Sequence, residues 1–561
     1  MSQLNRPSKG TNTNIVKVAA KTGQSLGFSA NGNLQFNKAP LQMLYELTVS
    51  TLFGKGTFYK SSDQLVKDLK KHVKEAVEMG AGDFVANLAI HARSEMNIRN
   101  MPVILVVEFA KAMSDKREGL LVEARRIVAD LNNADVLKYS DGQKPQIYAR
   151  AQALVDEAAK YSYANTRQLV CDVIQRADQV TDLYAYALEV FGGKNKIPMA
   201  IKRGVADSMN KFTEYQLAKY QRDGSVKLRD VLRIVHPVAK NETQGALFEK
   251  VMKNTLEVPY TWEVELSKNG QLPVAERKAK SEVWTDLIVS GKLPFMASLR
   301  NLRNIHEAQV NPMVVKQVCD MLCDPHRVAT SKQLPFDFVE AYKIVKDLDS
   351  KMATSVSRAI DLSVSNMPKL GDRVWVIIDY SGSMGRNDEV AINTATLLAA
   401  ALLKANESAS NVAVTLFGST AKTLKSVDTN NSILSIQAEL LTHRRGSISG
   451  STNFRAALDE KSKLGFDPDT IVVLTDGEVN SFPYSVIKNV AGKNVVKLAI
   501  NLSAASTTPM PASDGWYSVA GWASAMFKWV GSMRNAESII DQLSVPYQGI
   551  PTRNVQPEQA E

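Results

Sequence analysis

From Ala39 to Leu362 the chain repeats one pattern: segments of about 9–15 residues with apolar positions every three or four, separated by short polar, Gly or Pro connections. This spacing predicts helices over Leu41–Leu52, Leu65–Met79, Phe84–Met96, Pro102–Met113, Leu120–Leu131 and Ile147–Ala159. It continues over Thr166–Ile174, Thr181–Phe191, Leu228–Val235, Gly245–Leu256, Pro312–Leu322 and Phe336–Asp347. So many consecutive short helices exceed a four-helix bundle; they fit stacked helical hairpins, which grow in one dimension without a single large core. No strict sequence period accompanies them. After Lys369 the pattern changes to strand alternating with helix. Arg373–Asp379, Val412–Phe417, Thr470–Asp476 and Val495–Asn501 read as strands; Val390–Ala405, Phe454–Leu464 and Tyr484–Ala491 read as helices. That order predicts a doubly wound parallel sheet, with Thr420–Ser426 as an antiparallel edge strand. The fold class expected is therefore α + α/β. Residues 1–38, with little periodicity, read as a loose arm that allows a short extended piece, and the end after Pro551 reads as a disordered tail.

Length agrees with more than one domain: 561 residues exceed what one hydrophobic core usually serves. The divisions expected are an arm at 1–38, a helical domain at 39–365, an α/β domain at 370–545 and a tail at 546–561. No apolar run approaches a membrane span, the start is polar, and three cysteines cannot build a disulfide framework, so a cytoplasmic setting without membrane attachment is expected. Charge changes the picture more. Residues 366–561 hold 17 basic and 18 acidic residues, which leaves 51 basic and 40 acidic to residues 1–365. All the excess positive charge lies in the helical part, which points to a polyanion such as RNA or DNA there, although ordinary solubility charge has the same appearance.

Candidate chemistry gathers at the strand ends. The apolar run Val374–Ile378 ends in Asp379-Tyr380-Ser381-Gly382-Ser383, and ligand sites of parallel sheets lie outside the carboxyl ends of their strands. A carboxylate and two hydroxyls are hard oxygen donors, suited to Mg²⁺ or Mn²⁺ rather than zinc. Gly450-Ser451-Thr452-Asn453 adds a hydroxyl on a small-residue loop before a helix, and Ile471–Leu474 leads to Thr475-Asp476-Gly477. In the helical part, Lys219 and Arg222 end one helix, Gly224 breaks the chain, and Lys227, Arg229, Arg233 and His236 start and end the next. Cations on two helix ends across a tight turn can bridge successive phosphates. A solvated helix face explains Lys219, Arg222 and Arg233 as well, and a histidine favoured by the helix dipole explains His236. Arg300 and Arg303, with His306 nearby, fit either a nucleic-acid surface or pairing with acids.

The D-x-S-x-S, loop threonine and T-D-G set resembles the metal-ion-dependent adhesion site (MIDAS) of a von Willebrand factor A domain. The resemblance implies that Ser381, Ser383 and Thr452 contact a divalent ion through hydroxyls, and that Asp379 and Asp476 hold it directly or through water. Leu52-Phe53-Gly54, Leu88–Arg93, Ile98–Pro102, Lys219-Tyr220, Leu228–Pro237 and Ser298–Asn304 resemble the TROVE module. A TROVE module followed by an A domain is the layout of the Ro 60 kDa autoantigen family, and the likeness covers roughly residues 20–545. It implies a ring of HEAT-like helical hairpins followed by the A domain, acting as a monomer. It also implies binding of small non-coding Y RNAs on the outer basic surface, and of misfolded RNAs whose single-stranded 3′ ends enter the hole. Bacterial relatives work with exoribonucleases such as polynucleotide phosphorylase in RNA quality control and turnover. Lys219 and His236 fall on matching Y RNA-binding positions; Arg222 matches only after a shift of one residue.

Two patterns are decoys. Cys319, Cys323 and His326 have zinc-like spacing but no fourth ligand close by, so core thiols are expected. Trp516, Trp522 and Trp529 lack helical-face regularity, so packing explains them better than base stacking. The acids at the strand ends read as metal ligands without an evident general base, and no Ser/His/Asp set is anchored by motif. The function expected is an RNA-binding ribonucleoprotein scaffold rather than an enzyme; the alternative is a metal-dependent module that recruits a protein partner through a carboxylate.

Overall fold

A computed structural model describes residues 26–28, 34–50, 62–96, 98–132, 142–161, 164–220, 226–367, 370–385, 390–406, 412–424, 427–443, 448, 450–479, 495–502, 507–510, 516–520 and 539–549. Two compact units divide it: one holds Val66–Pro259 with Ser538–Gln559, the other Met1–Leu65 with Tyr260–Glu537.

The first unit is a stack of helices packed on others near in the chain: Gly82–Ser94 on Met101–Asn132, that helix on Lys144–Lys160 and Ala177–Phe191, and Ala164–Val173 on Met199–Met209, the next helix but one. Buried apolar side chains recur at the predicted spacing, as in Leu228, Val231 and Leu232 of the helix Leu228–Val235. One expectation fails. The two helices read over Pro102–Met113 and Leu120–Leu131 are one helix of 32 residues, Met101–Asn132. The polar stretch between them lies on an exposed face, where Lys111 pairs with Asp115 at 2.5 Å, and a Cβ at Gly119 would meet open space. An exposed helical glycine costs roughly 1 kcal/mol and does not end a helix. Close packing explains another glycine: a Cβ on Gly204 would lie 2.5 Å from the Arg167 carbonyl oxygen and 2.6 Å from Val170 Cβ.

In the second unit the helices Trp262–Gln271, Lys280–Val289, Phe295–Arg300, Leu302–Glu307, Pro312–Leu322, Pro325–Ser331, Pro335–Val345 and Ser350–Leu362 lead into the α/β region. The strands in chain order are β1 (Leu26–Phe28), β2 (Leu34–Asn37), β3 (Val374–Asp379), β4 (Val412–Phe417), β5 (Ala421–Leu424), β6 (Thr470–Thr475), β7 (Val496–Asn501), β8 (Thr507–Thr508) and β9 (Trp516–Ala520). Six form a sheet in the order β5-β4-β3-β6-β7-β9, parallel throughout except the antiparallel edge β5. β3 and β6 are buried at every position, as a sheet covered on both faces requires. Trp375, Ile377, Val473 and Phe454 pack on one side, and the helix Val390–Ala405 lies against β3.

Of the arm, Leu26–Phe28 and Leu34–Asn37 are extended. β1 and β2 form an antiparallel hairpin, and β2 pairs with β8 through Phe36 opposite Thr508. The sequence signal is the short alternation Leu34-Gln35-Phe36-Asn37, whose partner at β8 lies far away in the chain. The helix expected over Tyr484–Ala491 and the end after Pro551 lie outside the described residues, as do Trp522 and Trp529. Trp516 packs in the sheet core, 6.4 Å from Phe454.

Candidate functional sites: a buried oxygen cluster and a cationic helix pair

β3 and β6 are adjacent and parallel, with Ile378 opposite Leu474, so Asp379 and Asp476 emerge side by side at their carboxyl ends. The chain then turns sharply. Ser381 N–H donates to Asp379 Oδ1 at 2.8 Å, and the Ser381 and Ser383 hydroxyls lie 3.1 Å apart. Gly382 N–H donates to the Gly450 carbonyl at 3.0 Å, which brings the loop carrying Thr452 beside them. Gly450 sits at φ +128°, and a Cβ there would lie 2.4 Å from Ser419 Oγ, so this approach requires glycine. All five predicted residues, Asp379, Ser381, Ser383, Thr452 and Asp476, are therefore gathered and buried.

Electrostatically the cluster is unbalanced. Burial, and then the facing Asp476, push the Asp379 carboxyl up to about 7. Thr475, which sequence reasoning quoted only as part of T-D-G, offsets part of this by donating to Asp379 Oδ2 at 2.8 Å. Thr452 Oγ1 is buried with no hydrogen-bond partner, a costly state for a hydroxyl. Two buried carboxylates and three hydroxyls, one of them orphaned, form a donor set fitted to a small hard dication. Among the described residues no group of three or more His, Cys, Asp or Glu side chains is placed to hold a metal ion, so the hydroxyls are needed to complete the donor set. The cysteine decoy packs away: burial raises the Cys319 thiol, and Cys323 Sγ donates to the Ser355 carbonyl at 3.5 Å.

The cationic candidates lie in the first unit. Lys219 ends the short helix Glu214–Lys219; Lys227 and His236 cap the two ends of Leu228–Val235, and both helices pack on Ala177–Phe191. The Lys227 N–H donates to Asp230 Oδ2 at 3.2 Å, fixing the start of the second helix. His236 occupies the left-handed region at φ 46°, a conformation that costs a non-glycine residue about 1 kcal/mol. Lys219, Arg233 and His236 are exposed. Among the described residues no carboxylate pairs with Lys219 or Arg233, whereas many other surface cations do pair, Lys250 with Glu214 at 2.7 Å for one. Sequence reasoning missed the aromatic company of Lys219, whose ammonium lies 5.5 Å from the Tyr215 ring and 5.7 Å from the Tyr220 ring. Tyr215 at i−4 was the available signal. Arg222 lies outside the described residues.

In the second unit Arg300 and Arg303 do not share one helix; Asn301 breaks the run into Phe295–Arg300 and Leu302–Glu307. Both are exposed, and Arg303 pairs with Glu307 at 3.6 Å.

A TROVE domain matches residues 28–257 and 249–415, more than half of the chain. A von Willebrand factor type A domain matches 374–478, from β3 through both acids. The crystal structure of the Ro (RSR) protein of Deinococcus radiodurans is similar in fold, with a TM-score of 0.57 and 16% identity over 88% of this chain and 100% of that one. Telomerase protein component 1 of Mus musculus is 36% identical over 99 residues, and that of Rattus norvegicus 35% over 102; each match covers 18% of this chain. The chain spans 4% of the length of these two relatives.

Proposed function

This chain belongs to the TROVE domain family, and we propose from that premise that it is an RNA-binding ribonucleoprotein scaffold rather than an enzyme. Its RNAs are small, structured, Y-like non-coding RNAs and misfolded RNAs with single-stranded 3′ ends. Its setting is cytoplasmic RNA quality control or turnover beside an exoribonuclease such as polynucleotide phosphorylase. Among the described residues no helix is long and apolar enough to cross a membrane.

The observation that carries this reading is the set of exposed cations on the helix pair 214–219 and 228–235. Lys219 and Arg233 lack an acid partner among the described residues and are left to neutralise phosphates from outside. Other exposed cations, such as Lys240 and Lys292, also lack an acid partner among the described residues, so it is the gathering of these cations on two adjacent helix ends that matters. The experiment is a salt-titrated binding assay of wild type and Lys219→Ala/His236→Ala with a blunt duplex and the same duplex carrying a single-stranded 3′ tail. Steep salt dependence, preference for the tail and weaker mutant binding support the reading. Weak, equal binding unchanged by mutation sinks it.

A second role coexists, favoured by the orphaned Thr452 hydroxyl. Asp379, Ser381, Ser383, Thr452 and Asp476 would hold Mg²⁺ or Mn²⁺, whose remaining coordination position would accept a carboxylate from a partner protein. The chain's own part is to hold the oxygens in place. Asp379 is braced by Ser381 N–H and Thr475 Oγ1, and the loop of Thr452 is braced by Gly450 against Gly382.

A further inference from the structure

Around Lys219 the first unit carries a row of alternating rings and cations. Tyr215 is 44% exposed and has the Lys219 ammonium 5.5 Å from its centroid. The same ammonium lies 5.7 Å from the Tyr220 ring, and the Arg176 guanidinium lies 4.4 Å from that ring. Arg176 is itself fixed, its Nε and Nη2 donating to the two Asp178 carboxylate oxygens at 3.0 and 2.7 Å.

Tyr148 and Tyr260 are exposed to the same degree, so exposure alone does not mark Tyr215; what marks it is the Lys219 ammonium against its ring, a cation with no acid partner among the described residues. Duplex RNA offers the row only phosphates, and phosphates need Lys219 but not Tyr215. An unpaired nucleotide offers both a phosphate and a π-face, and bases stack on aromatic side chains in a sequence-tolerant way. We infer that the exposed Tyr215 ring stacks one unpaired base at the edge of a bound RNA while Lys219 neutralises its phosphate. Arg176 and Tyr220 are the rigid backing that keeps the lysine in place. This inference rests on the RNA-scaffold reading and deepens it: the site on the helix 214–219 recognises the junction of duplex and single strand, not the duplex alone.

The test uses the full chain and its Tyr215→Ala and Tyr215→Phe variants. The probes are the blunt duplex and the 3′-tailed duplex, the latter with 2-aminopurine as its first unpaired base. Stacking contributes about 1–3 kcal/mol per base by alanine substitution, so Tyr215→Ala should weaken the tailed RNA by about tenfold or more. Blunt RNA should bind as to wild type, the salt slope should stay the same, and quenching of 2-aminopurine should be lost. Tyr215→Phe should keep affinity and quenching, since it keeps the ring. Equal affinity of Tyr215→Ala and wild type for the tailed RNA overturns the inference while leaving the scaffold reading intact, as does an equal loss on both RNAs. Failure of wild type to bind either RNA with a steep salt slope removes the scaffold reading and this inference together.

Discussion

The Tyr547 hydroxyl donates to Asp172 Oδ2 at 2.8 Å, although 375 positions separate the two residues. The contact belongs to a clasp. Asn87 Nδ2 donates to the Leu543 and Val545 carbonyls at 3.1 and 2.7 Å, and Tyr547 N–H donates to Asp83 at 3.1 Å. The segment after the α/β region thus completes the first helical unit, whose helices Gly82–Ser94 and Ala164–Val173 receive it. Burial and the Asp172 bond raise the Tyr547 phenol well above its ordinary value, so it stays a donor at any physiological pH. Tyr547→Phe should lower stability by about 1–2 kcal/mol, because Asp172 loses a charged hydrogen bond in a half-buried setting. Urea unfolding followed by circular dichroism reads this; an unchanged midpoint would mean the clasp is incidental.

The oxygen cluster should make stability depend jointly on pH and metal. A carboxyl raised in the folded state binds its proton more tightly folded than unfolded. Its contribution is therefore complete below pH 4 and is lost as pH rises through about 7. A dication needs the carboxylate form and removes that loss. Mg²⁺ should accordingly raise the melting temperature more at pH 8 than at pH 5.5, and Asp379→Asn should abolish the difference. Equal shifts at both pH values, or an undiminished shift in the variant, would count against a metal at Asp379.

For the RNA surface, Lys219→Ala and Arg233→Ala should each reduce the slope of log affinity against log salt by about 1, the signature of one phosphate contact. Arg303→Ala should change it less, since Glu307 already balances that charge. A larger effect from Arg303 would move the interface to the second unit.

His236→Gly separates stability from binding. Relief of the left-handed backbone at φ 46° should stabilise the first unit by roughly 1 kcal/mol, while loss of the imidazole weakens RNA. Calorimetry beside the binding assay checks both. A variant less stable than wild type would show that the imidazole holds the helix end.

Gly204→Ala has no such freedom. Its Cβ would stand 2.5 Å from a backbone oxygen, so the helix Met199–Met209 must move off Ala164–Val173, at a cost of about 3 kcal/mol. Soluble yield and melting temperature should both fall. Gly119→Ala, facing open space in a helix, should instead be neutral or stabilising.

What the sequence alone determined were the properties carried by local pattern. Helix spacing, strand alternation, and the residues at strand ends depend only on side-chain order, so the two architectures and the five residues of the oxygen cluster could be read directly. Charge count likewise located the basic excess in the helical part. Tertiary structure decided whatever depends on partners distant in sequence. Only packing showed that the exposed Gly119 does not stop a helix, that β2 finds β8, and that residues 539–549 return to the first helical unit. Glu307 beside Arg303 and Tyr215 beside Lys219 are, by contrast, i,i+4 neighbours within single helices, a spacing already present in the sequence. The reason is physical. A motif fixes which atoms are available, but burial and the charges brought beside them decide what those atoms can do. The Asp379 carboxyl raised by Asp476 and the orphaned Thr452 hydroxyl are such effects, made by a fold that brings three separate segments to one point.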